Sequence, residues 1–167
     1  MKKTTLVFLL ITTAILASSC GNSAPPRNTK TGLVTGVKPV PDTEVAVIEM
    51  ENSSAYGTIT IELYSNIAPK MVAQFKALAK EGVYDGTSFH RINSSVVQGG
   101  DPLSKDDDPT NDGTGKSNKP NVLAEFSDIP YDTGIVGAAR SQDINSANSQ
   151  FFITLRRETG FDKNYTI

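Results

Sequence analysis

The sequence predicts a predominantly β domain, a barrel or a sandwich with at least one helix. Short apolar or alternating stretches recur along the chain, separated by segments rich in Gly, Asp, Asn and Pro. One stretch has the 3.6-residue period of an amphipathic helix. The composition, with 38% hydrophobic and 20% charged residues in a chain of 167, is ordinary for a soluble domain that buries a single core. Many short strands with one helix favour an all-β architecture.

The first residues are predicted to be a targeting signal. Lys2 and Lys3 precede an apolar run over residues 6–16, and small residues follow at positions 17–19. This order is typical of a secretory signal peptide. The apolar run is shorter than the ~20 residues that a transmembrane helix needs. We therefore expect residues 1–19 to be a leader that is removed, in preference to a permanent membrane span.

Cys20, the single cysteine, directly follows this leader. No intrachain disulfide can form, and a free thiol would be a liability in an oxidising compartment. Its position resembles that of the lipidated cysteine of bacterial lipoproteins, although Ala17 stands where Leu is usual. We expect Cys20 to anchor the chain to a membrane of the bacterial cell envelope, with the domain outside the cytoplasm. The alternative is a plain signal peptide with an incidental cysteine.

Residues 20–43 are predicted to be the lipidated cysteine and a flexible tether. They contain four prolines and several polar residues, and they lack a sustained apolar period. Residues 44–167 then form one domain, which we expect to be monomeric. The formal net charge of −2 gives no reason to expect nucleic acid as a partner.

The secondary structure of the domain follows from local patterns. An apolar, β-branched stretch at 45–50 and an alternating stretch at 58–64 predict two strands that turn near 52–57. Residues 69–81 predict an amphipathic helix, with Pro69 at its first position and Gly82 at its C-terminal cap. Short strands are predicted at 88–92, 96–98, 135–139 and 151–155. The irregular stretch 101–121 is long enough to be functional or mobile.

Several kinds of catalytic site are excluded by the residues present. A Ser-His-Asp site would have to use His90, the single histidine, and no serine lies in a nucleophile elbow. A zinc site would need several Cys or His ligands. The string at 113–117 lacks the first glycine of a phosphate-binding loop, because Thr110 stands there. We expect neither a metal nor a cofactor.

Three segments carry a specific resemblance. They are Phe-His-Arg-Ile at 89–92, Gln-Gly-Gly-Asp-Pro at 98–102, and Asn-Ser-Ala-Asn-Ser-Gln-Phe-Phe-Ile at 145–153. These segments resemble the signatures of cyclophilins, a family of peptidyl-prolyl cis-trans isomerases, and the resemblance extends over about residues 45–167. It implies a cyclophilin-like antiparallel β-barrel capped by at least one helix. It also implies cofactor-free isomerisation of X-Pro bonds in proline-containing polypeptides, here secreted or envelope proteins.

The resemblance assigns the catalytic role to Arg91. Rotation about a prolyl bond faces a barrier of ~18–20 kcal/mol that is set by amide resonance. A donor that meets the proline nitrogen only in the twisted state stabilises that state. A guanidinium is suited to this because it stays charged and its donors are rigidly placed. The resemblance also implies that Gln98 orients Arg91 or binds a substrate carbonyl; the alternative is an amide that is satisfied at the barrel rim.

The resemblance further implies an apolar slot for the proline ring. Its lining residues would be Val96, Ala139, Phe152 and Phe161, with Tyr165 at the edge. Each of them could instead be an ordinary core residue. His90 should point to the strand face opposite Arg91, as a packing or rim residue of the substrate site. Phe151 should likewise face away from Phe152, into the barrel.

The sequence departs from the family pattern in two places. The stretch between Arg91 and Gln98 is one residue short, and Ser95 stands where a Phe is expected, so one wall of the slot should be thinner and activity lower. The sequence also stops at residue 167, where a cyclophilin would continue into further strands and a helix. We therefore expect a fragment whose barrel is incomplete. The alternatives are a catalytically weak or inactive proline-peptide binding module or scaffold, and a nonfunctional truncation.

Overall fold

The structure is a computed structural model that describes residues 7–12 and 32–167. Two antiparallel sheets, with strand orders β1-β2-β3 and β4-β5-β7-β6, form the domain together with one long helix. In chain order the elements are β1 (Val7–Thr12), β2 (Glu44–Glu49), α1 (Ser53–Tyr56), β3 (Thr58–Glu62), α2 (Pro69–Lys80), β4 (Arg91–Ile92), β5 (Val96–Gly99), β6 (Val136–Ala138) and β7 (Phe151–Thr154). Two short 3₁₀ helices, Pro102–Lys105 and Thr159–Phe161, complete the set.

The prediction of a mainly β domain with at least one helix is confirmed. Each strand predicted from residue 45 onward is present, although the strand expected at 88–92 is reduced to Arg91–Ile92. The backbone N–H of Ser88 donates to the Ser104 hydroxyl instead of to a neighbouring strand, at 3.0 Å. Within the described residues the two sheets do not join, so they form an open arrangement and not a closed barrel.

Segments on the N-terminal side lie against the domain. Val7–Thr12, which lies in the predicted leader, pairs antiparallel with β2. Residues 32–43 differ from the predicted tether. Val34 is 3% exposed and exchanges backbone hydrogen bonds with Phe126 and Asp128, and the Asp42 N–H donates to the Leu63 carbonyl. Because the domain satisfies these backbone groups, this part of the chain is docked. Cys20 and the rest of the predicted tether lie outside the described residues.

Helix α2 covers one side of the first hydrophobic core, the cluster that contains Ile61 of β3 and Phe151 of β7. Its buried stripe consists of Met71, Val72, Phe75, Leu78 and Ala79, as the 3.6-residue period predicts. Phe75 packs edge-on against Phe151 of β7, with ring centroids 5.7 Å apart. The start of the helix lacks a side-chain cap from Ala68, and the buried carboxylate of Glu125 accepts from the N–H groups of residues 70 and 71 instead. A negative charge is favourable there because the helix dipole is positive at its N-terminus.

The second core lies on the other face of the four-stranded sheet. Adjacent residues of a strand point to opposite faces, so Phe152 leaves the cluster that contains Phe151 and packs with Val96 and Tyr131. The rings of Tyr131 and Phe152 are stacked, with centroids 5.9 Å apart. Gly137 lies beneath them, and a Cβ there would come within 2.4 Å of the Phe152 ring. The predicted opposite orientation of the two phenylalanines is confirmed.

The long loop 101–121 is folded around a buried carboxylate. Asp101 accepts backbone hydrogen bonds from Leu103 at 2.8 Å, Gly113 at 2.6 Å and Gly115 at 3.1 Å. A Cβ on Gly115 would come within 2.1 Å of the Asp101 carboxylate, so glycine is required at that position. The half-buried ring of His90 packs beside Gly113. Asp101 and His90 thus hold the loop onto the end of the sheet.

Two buried tyrosines allow a matched test of these cores. The Tyr84 hydroxyl donates to the Ser149 carbonyl at 3.1 Å, whereas the Tyr131 hydroxyl has no hydrogen-bond partner among the described residues. Tyr84→Phe should lower the free energy of unfolding by about 1 kcal/mol, and Tyr131→Phe should leave it unchanged or raise it by up to about 1 kcal/mol. Urea titrations of both variants measure this. Equal destabilisation by the two substitutions would contradict the assignment.

His90 should make stability depend on pH above the carboxylate range. Burial lowers the pKa of His90 below its ordinary value of 6.5, although Asp101 and Asp112 oppose this shift. The unfolded chain therefore binds a proton at a higher pH than the folded chain does. Stability is lost as the pH falls below 6.5, the ordinary value, toward the lower pKa of the folded state. The loss cannot exceed about 1.4 kcal/mol per pH unit, the limit for one proton.

Urea unfolding of the wild type and of His90→Gln at intervals between pH 7 and 5 tests this, because the chain contains a single histidine. The substitution should flatten the dependence in that window. It should leave the loss at lower pH, where Asp42 and Glu44 titrate. Burial raises the pKa of Asp42, but hydrogen bonds from Lys76 and Ser65 outweigh this and lower it, and the hydrogen bond from Lys76 lowers the pKa of Glu44. An unchanged slope in the variant would show that another group titrates.

Candidate active site

The register of the second sheet places three side chains in one row. Arg91 of β4 lies opposite Gln98 of β5, and Gln98 lies opposite Phe152 of β7. Directly opposed residues in antiparallel strands project from the same face of a sheet. Arg91 is exposed at one end of the row, and Phe152 is buried at the other. The sheet therefore presents a cation and an aromatic ring on the same side.

A chain of hydrogen bonds orients the Arg91 side chain. Its Nη1 donates to Gln98 Oε1 at 3.1 Å, and Gln98 Nε2 donates to Gln150 Oε1 at 2.9 Å. Gln150 Nε2 donates in turn to the carbonyls of Gly113 and Gly115, at 3.0 and 2.8 Å. The guanidinium is thus positioned by the loop that Asp101 holds. Arg91 forms no ion pair within the described residues, so most of its five N–H donors stay available.

The predicted slot residues come together beside Phe152. Val96, Tyr131 and Phe152 form a buried cluster, against which the partly buried Ala139, Phe161 and Tyr165 pack. The ring centroid of Phe152 lies 5.3 Å from those of Phe161 and Tyr165. The half-buried Phe161 and Tyr165 leave aromatic surface accessible. Such a surface can accommodate a small apolar ring.

His90 does not join this cluster. Its ring lies beside Gly113, where an added Cβ would be 3.4 Å from Cδ2 of the imidazole. The side chain therefore contacts the loop 101–121 and not the aromatic slot. This placement fits the packing role that the strand alternation predicts, and it offers His90 no direct contact with a ring bound beside Phe152.

A polar border replaces the aromatic wall that the resemblance leads one to expect at Ser95. The Ser95 hydroxyl accepts from Arg156 Nη2 at 3.0 Å, and Arg156 Nε pairs with Glu158 at 2.6 Å. The hydrogen bond from Arg156 lowers the pKa of the Glu158 carboxyl. The Leu155 N–H donates to the Ser95 carbonyl, which ties this border to the end of β7. The position at which the resemblance leads one to expect an aromatic ring is consequently occupied by a polar cluster.

Two residues of the site were missed from the sequence. Gln150 precedes Phe152 by two positions, so strand alternation from Phe152 could have placed it on the same face. Tyr131, which forms the floor of the slot at 1% exposure, lies in an irregular segment with no periodic signal. Its burial raises the pKa of the hydroxyl well above the ordinary range, so the group stays neutral.

A cavity between the two sheets is not the site. It has a volume of about 630 Å³ and is lined by core residues such as Ile61, Phe75 and Phe151 and by neither Arg91 nor Gln98. In the described ranges, 7–12 and 32–167, no three His, Cys, Asp or Glu side chains are placed to hold a metal ion. Over the same residues, none of the helices combines the length and the hydropathy of a membrane span.

Comparisons with known proteins agree on one family. The family model described as cyclophilin type peptidyl-prolyl cis-trans isomerase/CLD matches residues 47–167. A Brucella suis protein named "Probable peptidyl-prolyl cis-trans isomerase" is 46% identical over 116 residues, which are 66% of this chain and 59% of that protein. The peptidyl-prolyl cis-trans isomerase ppi1 of Schizosaccharomyces pombe is 38% identical over 130 residues, 74% of this chain and 76% of that protein.

A solved structure shows the same fold. The crystal structure of a cyclophilin type peptidyl-prolyl cis-trans isomerase from Cryptosporidium parvum, determined in the presence of the dipeptide Ala-Pro, matches with a TM-score of 0.59 and 32% identity over 67% of this chain and 70% of that chain. The chain spans about 59% of the length of the Brucella relatives it matches. The family match over residues 47–167 shows that the chain belongs to the cyclophilin-type peptidyl-prolyl cis-trans isomerase family.

Proposed function

We propose that this domain catalyses the cis-trans isomerisation of X-Pro peptide bonds. The observation that carries the proposal is the row in which Arg91, Gln98 and Phe152 share one face of the sheet. It brings an unpaired guanidinium to the side of an aromatic slot. The solved Cryptosporidium relative, determined in the presence of Ala-Pro, supports a proline-containing peptide as the ligand.

In this mechanism the slot holds the proline ring while the rest of the peptide turns. The cluster of Phe152, Phe161 and Tyr165 contacts the ring, which becomes a fixed point. As the amide twists, resonance is lost and the lone pair localises on the proline nitrogen. A donor of Arg91 then bonds to that nitrogen, which stabilises the twisted amide more than either planar form. No bond is broken and no proton is transferred.

Two glutamines, Gln98 and Gln150, limit the motion of Arg91. Gln98 binds one edge of the guanidinium and is itself held by Gln150. A donor whose orientation is set before the substrate arrives loses less entropy when the twisted amide forms. Gln98 and Gln150 are therefore positioning residues, and Arg91 is the group that meets the reacting nitrogen.

The alternative is a proline-peptide binding module with little or no turnover. The polar border of Ser95, Arg156 and Glu158 favours this alternative, because it removes apolar contact on one side of the ring. A ring that is held loosely allows the whole proline to rotate with the peptide. Binding with no measurable rate enhancement would identify this second function.

We also propose that Cys20 carries a lipid that anchors the domain in the bacterial envelope, where secreted and envelope proteins would be its clients. The order of charged, apolar and small residues before Cys20 supports this. The first backbone contact with the domain is made by Val34, so the chain from Cys20 to Val34 would reach at most about 50 Å when extended. Removal of the leader would take β1 with it and leave the outer edge of β2 free.

Arg91→Ala should lower the isomerisation kcat/KM at least tenfold, or about 1.4 kcal/mol in barrier, because the twisted amide loses its donor. NMR exchange spectroscopy on an Ala-Pro peptide measures the rate without a coupling protease. Lys38→Ala is the matched control, since it removes an exposed cation that lies outside the site. A wild-type rate in Arg91→Ala, with circular dichroism unchanged, would remove Arg91 from this role.

Cys20→Ser should abolish lipid attachment when the full chain is expressed in a bacterial host. Metabolic labelling with an alkyne fatty acid, followed by fractionation of membranes, reads out both modification and location. Ser19→Ala is the matched control and should keep the label. Fatty acid incorporation that persists in Cys20→Ser would refute the anchor without bearing on isomerisation.

A further inference from the structure

A second cavity, of about 420 Å³, adjoins the proline slot. Gln98 and Ala139 line it, and both also belong to the site, Gln98 as the partner of Arg91 and Ala139 as part of the aromatic cluster. An extended peptide advances by about 3.3–3.6 Å per residue. A peptide whose proline occupies the slot would therefore place a nearby side chain, within about two residues, in this cavity.

The charged groups that line the cavity are both cations. Lys116 and Arg140 border it, and the other lining residues are uncharged. Within the described residues neither side chain forms an ion pair, whereas Arg156 at the opposite border of the slot is neutralised by Glu158. The two cations that line the cavity are thus not neutralised by an ion pair with a carboxylate of the described residues. Such a charge attracts an anionic group and repels a cationic one.

Arg140 is held in place by neutral partners. Its Nε and Nη2 donate to the Asn164 carbonyl at 3.2 and 3.0 Å, and Nη1 donates to the Ser141 carbonyl at 2.8 Å. The guanidinium carbon lies 4.6 Å from the ring centroid of Tyr165. Carbonyls and an aromatic face orient the guanidinium without cancelling its charge, and two of its five N–H donors remain for a ligand.

Arg140 also connects the cavity to the slot. It lines the cavity, and the tyrosine on which it stacks is part of the aromatic cluster beside Phe152. Lys116 approaches from the loop 101–121, directly after Gly115, whose carbonyl accepts from Gln150. Lys116 and Arg140 therefore offer a flexible ammonium and a fixed guanidinium to the same cavity, and either group can attract a carboxylate.

We propose that Arg140 and Lys116 make this domain prefer X-Pro peptides that carry an Asp or Glu side chain close to the proline. This inference rests on the proposed isomerase function and specifies its substrate class. The order of preference is acidic, then neutral, then basic. A neutral polar side chain could hydrogen-bond in the same cavity, but it would not gain from the unbalanced charge.

The preference is tested with peptides that contain one Ala-Pro pair. Glu, Gln or Lys is placed at a single position in each peptide, either at one of the two positions before the pair or at one of the two positions after it. NMR exchange spectroscopy gives kcat/KM for each peptide. At one position the Glu peptide should exceed its Gln counterpart by about three- to tenfold at low salt, and the Lys peptide should be the poorest. The advantage should shrink at about 0.5 M NaCl because screening weakens exposed ion pairs. A Glu to Gln ratio of one at every position would overturn the inference.

The double variant Lys116→Gln, Arg140→Gln assigns the preference to these residues. The Glu to Gln ratio should fall to about one in this variant, whatever its absolute rates. Lys116→Glu, at an exposed position, keeps the test decisive if the double variant does not fold, because the new carboxylate offsets Arg140 and should also bring the ratio down to about one. Lys38→Gln is the matched control, since Lys38 is an exposed cation that lines neither cavity, and it should keep the wild-type ratio.

The two levels of the proposal can fail separately. If no peptide is isomerised, the enzymatic function fails, and dissociation constants for the same Glu and Gln peptides by fluorescence anisotropy then decide the charge preference. If peptides are isomerised but the variants keep the wild-type ratio, the enzyme stands and the role of Lys116 and Arg140 is wrong.

Discussion

The antiparallel pairing of β4, β5 and β7 is the constraint on which both the core and the site depend. Opposed residues share a face, so the pairing that aligns Arg91, Gln98 and Phe152 also sends Phe151 to the opposite side. One face of the sheet is thereby buried under helix α2, and the other presents the slot. A shift of the register by one residue would exchange the two faces and remove core and site together.

The loop 101–121 adds a second constraint, because it fixes Gln150, the last side chain in the chain of hydrogen bonds that starts at Arg91. Asp101 draws the N–H groups of Gly113 and Gly115 inward, which turns their carbonyls toward Gln150. A buried carboxylate with three backbone donors is well satisfied, so the loop is tightly held although it is irregular. Arg91 is consequently oriented by residues that are remote from it in sequence. The same loop carries Lys116 to the neighbouring cavity.

Local patterns predicted the elements well and their connections poorly. The alternation around Ile61 and the stripe of α2 give the strands and the helix, because each pattern lies within a few residues. Arg91, Gln98 and Phe152 were found through motif resemblance. Docking of residues 32–43 was missed because Val34 bonds to residues about ninety positions away. The polar border at Ser95 was missed for the same reason, since Arg156 lies in another segment.

By itself, the sequence determined the mainly β character, the single amphipathic helix, the motif residues and the family they resemble, since these features depend on residue type and short-range spacing. Only the tertiary structure decided that Gln150 holds Gln98 by a hydrogen bond, that His90 packs on the loop 101–121, and that Arg140 stacks on Tyr165 without an ion pair. These features depend on which distant segments meet. That is set by strand register and core packing, which bring together atoms whose proximity no local pattern encodes.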